Sequence, residues 1–234
     1  GEVFKVPDML ANRADIYNLG DTLSNLKEIF DLSYIENSLT SNPILAPLAT
    51  RDMQDIYRFI AKAQGNPFSA NELQHTYSNA EINEIVSTLQ RLMQVRDVVG
   101  QVNQHYIDSA AQDDAYRTEP AFKLQGSYRN MNKMAEKISA AMNDAEILQL
   151  ISDHYQGEAQ LLTTHAEENL LKLSELRNIQ SDEEQVRWAQ IKRDFMRNKT
   201  IGGKDSDTGT RVVAQLNDLV EGVRILGNHL QREP

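Results

Sequence analysis

The placement of proline is the feature that most restricts how this chain can fold. Five of the six prolines lie at or before Pro120, and the sixth is the terminal Pro234. Proline lacks an amide hydrogen and clashes with the preceding helical turn, so helix interiors exclude it. Residues 121–233 are therefore free to form long helices. The first 70 residues are instead divided into shorter pieces by Pro7, Pro43, Pro47 and the turn Gly65-Asn66-Pro67.

Apolar residues recur at spacings of three and four, the period of an amphipathic α-helix. Predicted helix starts have the spacing of a capping box: Ser78 with Glu81, Asn143 with Glu146, and Ser181 with Glu184. The predicted apolar faces include Ile82, Ile85, Val86, Leu89, Leu92 and Met93; Met131, Met134, Ile138 and Met142; and Trp188, Ile191 and Phe195. Residues 122–127 read as a short extended piece that has no partners for a sheet. The chain is therefore predicted to be all-α.

The most regular repeat lies near the end of the chain. Six aliphatic residues alternate steps of four and three: Val212, Leu216, Leu219, Val223, Leu226 and Leu230. This heptad spacing predicts a helix that packs against a long antiparallel neighbour or another chain. We predict a multi-helix bundle with long antiparallel helices over residues 66–234, preceded by shorter helices in residues 1–65.

Composition excludes several classes of protein. The chain has no cysteine, which rules out disulfides, cysteine-ligated zinc, iron–sulfur clusters and thiol catalysis, and fits a reducing cytoplasm. No run of about 18 apolar residues is present, so no membrane span is predicted. The net charge of −10 disfavours a wholesale nucleic-acid binder. Because the sequence opens on Gly1 without an initiator methionine, we expect a fragment of a longer cytoplasmic protein.

One segment partly matches the sequence pattern of a phosphate-binding loop. Gly202-Gly203-Lys204 is the nearest match to a phosphate-binding loop, but a P-loop needs glycine at position 198 and serine or threonine at 205. Asn198 and Asp205 occupy those positions, which favours a surface loop.

Histidine and glutamate occur at helical spacing in two places, His154 with Glu158 and His165 with Glu168. Carboxylate-bridged metal sites in bundles use paired Glu-x-x-His repeats, and the order here is reversed. We therefore interpret these residues as parts of solvated helix faces and predict no metal site.

Basic residues are concentrated in two segments. The first carries Arg187, Lys192, Arg193, Arg197, Lys199 and Lys204, and the second carries Lys123, Arg129, Lys133 and Lys137. On helices, either set could line a nucleic-acid phosphate backbone. The alternative is a solvated face that neighbouring carboxylates partly neutralise.

Three segments resemble a known family. Residues 6–21 (VPDMLANRADIYNLGD) resemble the end of the ATPase core in MoxR-like AAA+ proteins. Residues 119–132 (EPAFKLQGSYRNMN) and 153–160 (DHYQGEAQ) resemble the C-terminal region of large bacterial AAA+ proteins labelled DNA repair ATPases. The likeness runs from Val6 to about Leu230, and residues 122–132 are its most distinctive part.

The resemblance implies roles for two arginines. Arg13, six residues after Pro7, would be the arginine finger that stabilises the transferring phosphoryl group in a neighbouring subunit. Arg51, at the start of a predicted helix over residues 52–63, would sense nucleotide from a lid. Residues 1–65 would then be the end of the ATPase core and a lid-like helical segment, and residues 66–234 a C-terminal helical bundle. The P-loop, ATP and magnesium would belong to an upstream core.

Two functional hypotheses follow. In the first, the chain is a non-catalytic segment of an AAA+ ATPase that supplies a lid and a helical interaction domain to an ATP-driven oligomer. Its partners would be the upstream core and the neighbouring subunits. In the second, it is a stand-alone helical module that docks a protein partner or nucleic acid, with the basic stretch 187–204 as the candidate surface.

Overall fold

The computed structural model describes residues 27–66, 69, 72–162 and 164–201. All regular structure in these residues is helical, which confirms the all-α prediction. Arg13, the glycine-lysine loop at 202–204 and the heptad repeat of 212–230 lie outside the described residues. None of the described helices is long and apolar enough to cross a membrane.

Eight α-helices and two short 3-10 turns make up the described fold. In chain order the helices are α1 (Lys27–Ser38), α2 (Ala46–Ala49), α3 (Met53–Ala63), α4 (Asn79–Ala111), α5 (Tyr128–Ala135), α6 (Asp144–Gln160), α7 (Ala166–Leu176) and α8 (Asp182–Ile201). The 3-10 turns are Leu39–Ser41 and Asp114–Tyr116.

Local side-chain chemistry sets most helix starts. The Ser78 and Asn143 side chains accept from the third helical amide, and Glu81 and Glu146 reach back to the capping backbone, as predicted. At the end of α3, Gly65 has φ of +96°, a backbone conformation that glycine adopts without strain. The Gly65 amide donates to the Lys62 carbonyl and the Asn66 amide donates to the Ala61 carbonyl, which completes a Schellman cap.

Helix α4 is the spine of the fold. Its 33 residues span about 50 Å, and α1, α3, α5, α6 and α7 all pack on it. Its buried residues recur at helical spacing: Ile82, Ile85, Thr88, Leu89, Leu92, Met93, Val95, Val99 and Val102. All of them except Thr88 belong to one continuous apolar core that also contains residues of α1, α2, α3, α5, α6 and α7. Helix α8 packs on α7.

Helix α5 is shorter than its apolar periodicity predicts. The pattern continues to Met142, but the helix ends at Ala135. Asn42, fully buried in the turn before α2, binds at this end, since its Nδ2 donates to the carbonyls of Ala135 and Ile138 at 2.8 Å each. The Ala135 carbonyl also accepts from the Ile138 amide at 3.2 Å, which is a turn bond and not a step of the α-helical ladder. Ile138 remains buried although it is not helical.

Residues 117–127, which we call the strap, cross the bundle between α4 and α5 without regular secondary structure. The piece predicted to be extended, 122–127, is not helical and does not form a strand, and the angles given for its last residue, Ser127, are extended. At Gly126 the strap lies directly against α4, since a Cβ placed there would be 1.9 Å from the Val99 carbonyl oxygen and 2.6 Å from the Asn103 nitrogen. Glycine is the residue type that this approach between two backbones allows.

Side chains from α1, α4 and α7 hydrogen-bond to the backbone of strap residues 122–126. The Asn169 Oδ1 of α7 accepts from the amides of Lys123 at 2.6 Å and Leu124 at 3.3 Å. The Tyr34 hydroxyl of α1 donates to the Gly126 carbonyl at 2.5 Å. Ser109 of α4 accepts from the amide of Phe122 at 2.9 Å. The strap therefore connects α1, α4 and α7 through hydrogen bonds that replace a regular ladder.

We expect Gly126→Ala to destabilise the fold by roughly 3 kcal/mol or more, because the new methyl group meets backbone that cannot rotate away. Gly157 in α6 is the matched control, since a Cβ there meets nothing within 4 Å. Gly157→Ala should stabilise the fold by about 0.5–1 kcal/mol through helix propensity. Urea unfolding of both variants tests the contact, and equal small effects would show that Gly126 does not lie against α4.

Two buried tyrosines provide a second matched pair. Tyr34→Phe leaves the Gly126 carbonyl without its donor and should cost about 1–3 kcal/mol. Tyr155 is fully buried, and its hydroxyl finds no hydrogen-bond partner among the described residues. Tyr155→Phe should therefore be neutral or stabilising. Thermal unfolding of the two variants measures the difference, and a larger loss at Tyr155 would contradict this assignment.

Candidate functional site

Arg51 lines a groove between the α2 region and the start of α4. It precedes Asp52, which caps α3 by accepting from the Gln54 amide at 2.7 Å. The exposed Arg51 guanidinium sits 4.8 Å above the ring centre of Tyr77, a cation–π contact. Its pKa is raised chiefly by its hydrogen bond to Tyr77. The groove has a volume of about 310 Å³ and also contains Glu81.

Asp55 fixes the position of Tyr77. This fully buried carboxylate accepts from the amides of Gln74 at 2.7 Å and His75 at 3.1 Å, and from the Tyr77 hydroxyl at 3.3 Å. Burial opposes ionisation of Asp55, but these hydrogen bonds outweigh it and lower the pKa. Residues 74–77 are therefore tied to α3, and Tyr77 is held where Arg51 stacks on it.

The groove as described combines one arginine with two carboxylates, those of Glu81 and Glu84. Hydrogen bonds within its own capping box, first of all with the Ser78 backbone, lower the pKa of Glu81, so it is ionised at neutral pH. Arg51 can reach solvent from this position, but a polyphosphate would also need cations from elsewhere to offset the two glutamates. Its role as a nucleotide sensor stays a prediction.

A larger cleft, of about 770 Å³, lies between α1, α4 and the end of α7. Phe30, Tyr34 and Leu176 give it an apolar floor. Carboxylates line it from two walls, Asp31 on α1 and Asp97 and Asp108 on α4. A volume of this size with an apolar floor and a few polar groups is typical of a binding site.

His105 of α4 lies in the cleft with its ring edge-on to Phe122 of the strap, at 5.2 Å between ring centres. Burial is the main cause that lowers its pKa, and nearby Lys172 adds to the effect. Lys172 itself bridges Glu119 at 2.9 Å and Glu175 at 2.7 Å. An ion-paired network thus lies next to the histidine at this end of the cleft.

Several cationic side chains of the basic stretch 187–204 bind carboxylates or carbonyls of the same chain. Arg187 forms a two-pronged ion pair with Glu167 of α7 at 2.7 and 2.8 Å. Lys192 pairs with Glu175 at 3.3 Å. Lys199 donates to the carbonyls of Ala115 and Arg117 at 2.7 and 2.8 Å. These contacts agree with a partly neutralised face, the alternative to a phosphate-binding surface; Lys204 lies outside the described residues.

The two histidine-glutamate pairs differ from each other. Glu158 pairs with Lys133 of the second basic segment at 3.0 Å, while the Nε2 of half-buried His154 finds no partner in the described part of the chain. His165 Nδ1 and Glu168 Oε1 are 3.1 Å apart at the start of α7. Within the described ranges, no group of three or more metal-binding side chains comes together.

Comparison with known proteins adds no relative: no family model, no curated protein and no solved structure matches this chain. The resemblance of residues 6–21, 119–132 and 153–160 to AAA+ proteins therefore stays a prediction.

The cleft is the feature that sequence reasoning missed. Its walls come from residues far apart in the chain, and pairwise spacing does not bring α1 to α4. One local signal was present, because Asp97, Gln101, Gln104 and Asp108 follow steps of four, three and four. They form one polar face on a helix that is otherwise the spine of the core.

Stability should fall as the solution is acidified below pH 6.5, because two histidines resist protonation in the fold. Burial lowers the pKa of both His105 and His154. The unfolded chain takes up protons near pH 6.5 while the folded chain does not, so acid favours unfolding.

Replacing both histidines with glutamine should make the unfolding free energy less sensitive to pH as the solution is acidified below about pH 6.5. Urea unfolding at a series of pH values measures the effect. Plots of unfolding free energy against pH should be parallel for wild type and the double variant above about pH 7.5, where histidine is neutral in the folded and the unfolded chain. Parallel curves in acid as well would contradict the assignment.

Proposed function

We propose that the chain supplies a lid-like helical segment and a helical interaction bundle to an AAA+ ATPase, and has no complete catalytic site of its own. The observation that carries this proposal is the continuous core. Residues of α1, α2 and α3 are packed in the same apolar cluster as those of α4 to α7. A displacement of the lid-like helices therefore shifts residues of the bundle, because close-packed interiors transmit strain.

Specific contacts join the two parts. Asn42 donates to carbonyls at the end of α5, and Tyr34 donates to the strap. Phe59 of α3 meets Tyr77, just before α4, edge-on at 5.0 Å between ring centres. In the proposed function, binding and hydrolysis of ATP at an upstream core shift the lid, and these contacts pass the shift to the bundle. The bundle then changes the surface that it offers to neighbouring subunits or to a partner.

The position of Arg51 agrees with such a lid. It is exposed at the start of α3, and its guanidinium lies over the ring of Tyr77, whose hydroxyl donates to Asp55. A nucleotide bound at an adjacent core could compete with Tyr77 for the guanidinium. That exchange would connect nucleotide state to the contact between α3 and α4.

The rival account is a stand-alone helical module. Its nucleic-acid form is weakened because Arg187, Lys192 and Lys199 have partners within the chain. Its protein-docking form differs from the first proposal in needing no ATPase core.

ATP hydrolysis by the longer protein that contains this chain separates the two accounts. Arg13→Ala should lower turnover by about 10³-fold or more, since trans-acting arginine fingers contribute roughly 10³ to 10⁵. Nucleotide affinity and oligomer size should stay unchanged. Arg193→Ala, on an exposed face of α8, is the control and should leave turnover intact.

An unchanged rate for Arg13→Ala would remove the arginine-finger assignment and leave protein docking as the better account. The absence of a P-loop upstream in the same reading frame would have the same consequence.

A further inference from the structure

We propose that the cleft between α1, α4 and α7 binds a basic amphipathic helix of a partner protein. The site goes beyond the ATPase assignment and does not rest on it, because every residue involved lies in the described part of this chain. Three features of the cleft carry the inference: its apolar floor, the charge of its walls and the space at Gly100.

The floor can accept apolar side chains. Phe30 and Leu176 are partly exposed there, and Tyr34 forms the deepest part. The volume of about 770 Å³ is enough for several aliphatic side chains from one helix face. Helix-in-groove recognition has this form, with apolar anchors at helical spacing.

The walls select a cationic ligand. Asp31 faces the cleft from α1, and Asp97 and Asp108 face it from α4. Two of them have cations on the chain. Lys27, which is three-quarters exposed, pairs with Asp31, and Arg96 donates twice to one oxygen of Asp97, which leaves the other oxygen of this half-exposed carboxylate for a ligand. Asp108 accepts from the neutral Gln104. With a net charge of −10 on the whole chain, the long-range field also attracts a basic partner.

Gly100 keeps the α4 wall open. A Cβ built at this position would have the Asp31 Oδ1 at 3.9 Å as its nearest contact, which is ordinary van der Waals distance. A side chain at 100, which lines the cleft, therefore begins without a clash at its Cβ. Because Gly100 is inside a helix, its replacement should also raise helix stability.

The full 234-residue chain can be tested with a fluorescein-labelled 14-residue helical peptide composed of leucine and lysine. A peptide of leucine and glutamate in the same pattern controls for charge. Fluorescence anisotropy gives the affinity at low and physiological salt. Wild type should bind the lysine peptide, more weakly as salt rises, and should not bind the glutamate peptide.

Two variants address the cleft itself. Gly100→Leu should abolish binding while the melting temperature stays equal or rises, which separates blocking from unfolding. Asp31→Asn with Asp108→Asn should weaken binding by roughly fivefold to tenfold. Glu136→Gln with Asp153→Asn removes the same charge from exposed positions elsewhere and should leave the affinity within about twofold.

Several results would overturn the proposal. The first is that the lysine peptide fails to bind the wild type, and the second is that it binds Gly100→Leu as tightly as the wild type. The third such result is that Glu136→Gln with Asp153→Asn weakens binding as much as Asp31→Asn with Asp108→Asn does. Tight binding of the glutamate peptide would overturn the choice of a basic partner. Because the isolated chain is used, failure here leaves the ATPase proposal intact, and loss of ATP turnover in the longer protein has no bearing on this result.

Discussion

Backbone meets backbone where Gly126 of the strap lies against Val99 and Asn103 of α4. This contact requires a residue without a Cβ, and it sets the distance between the strap and the spine helix. Once the strap is in place, those of its amides and carbonyls that are buried need partners. Ser109, Asn169 and Tyr34 supply them from three different helices. The arrangement of α1, α4 and α7 around the strap follows from those bonds.

The cleft is a consequence of the same arrangement. Tyr34 approaches the strap and brings the later part of α1 close to α4, while Lys27, Phe30 and Asp31 line the open side. The strap thus joins the two functional proposals physically. It links lid-like α1 to the bundle through Tyr34, which also lines the cleft. A nucleotide-driven shift of α1 would change the width of the cleft.

The parts of the fold that could be predicted depend on local chemistry. The capping pairs at Ser78 and Asn143 and the apolar face of α4 require residues within one or two turns of each other. The contact of Asn42 with the end of α5 could not be predicted, because it joins residues 93 apart in the chain. The partners of Arg187 and Lys199 and the existence of the cleft could not be predicted either, because each depends on which helices become neighbours. At Arg51 the sequence predicted the helix start, but not the stacking on Tyr77.

The central claim is that the strap, although irregular, belongs to the most stable unit of the fold. Native-state hydrogen exchange of the Lys123 and Leu124 amides tests it most directly, because both donate to Asn169. The account predicts that they exchange only through global unfolding, with the same free energy as the buried amides of α4 around Leu89 and Val95. Exchange through a low-energy local opening, while α4 stays protected, would contradict it and reduce the strap to a surface loop.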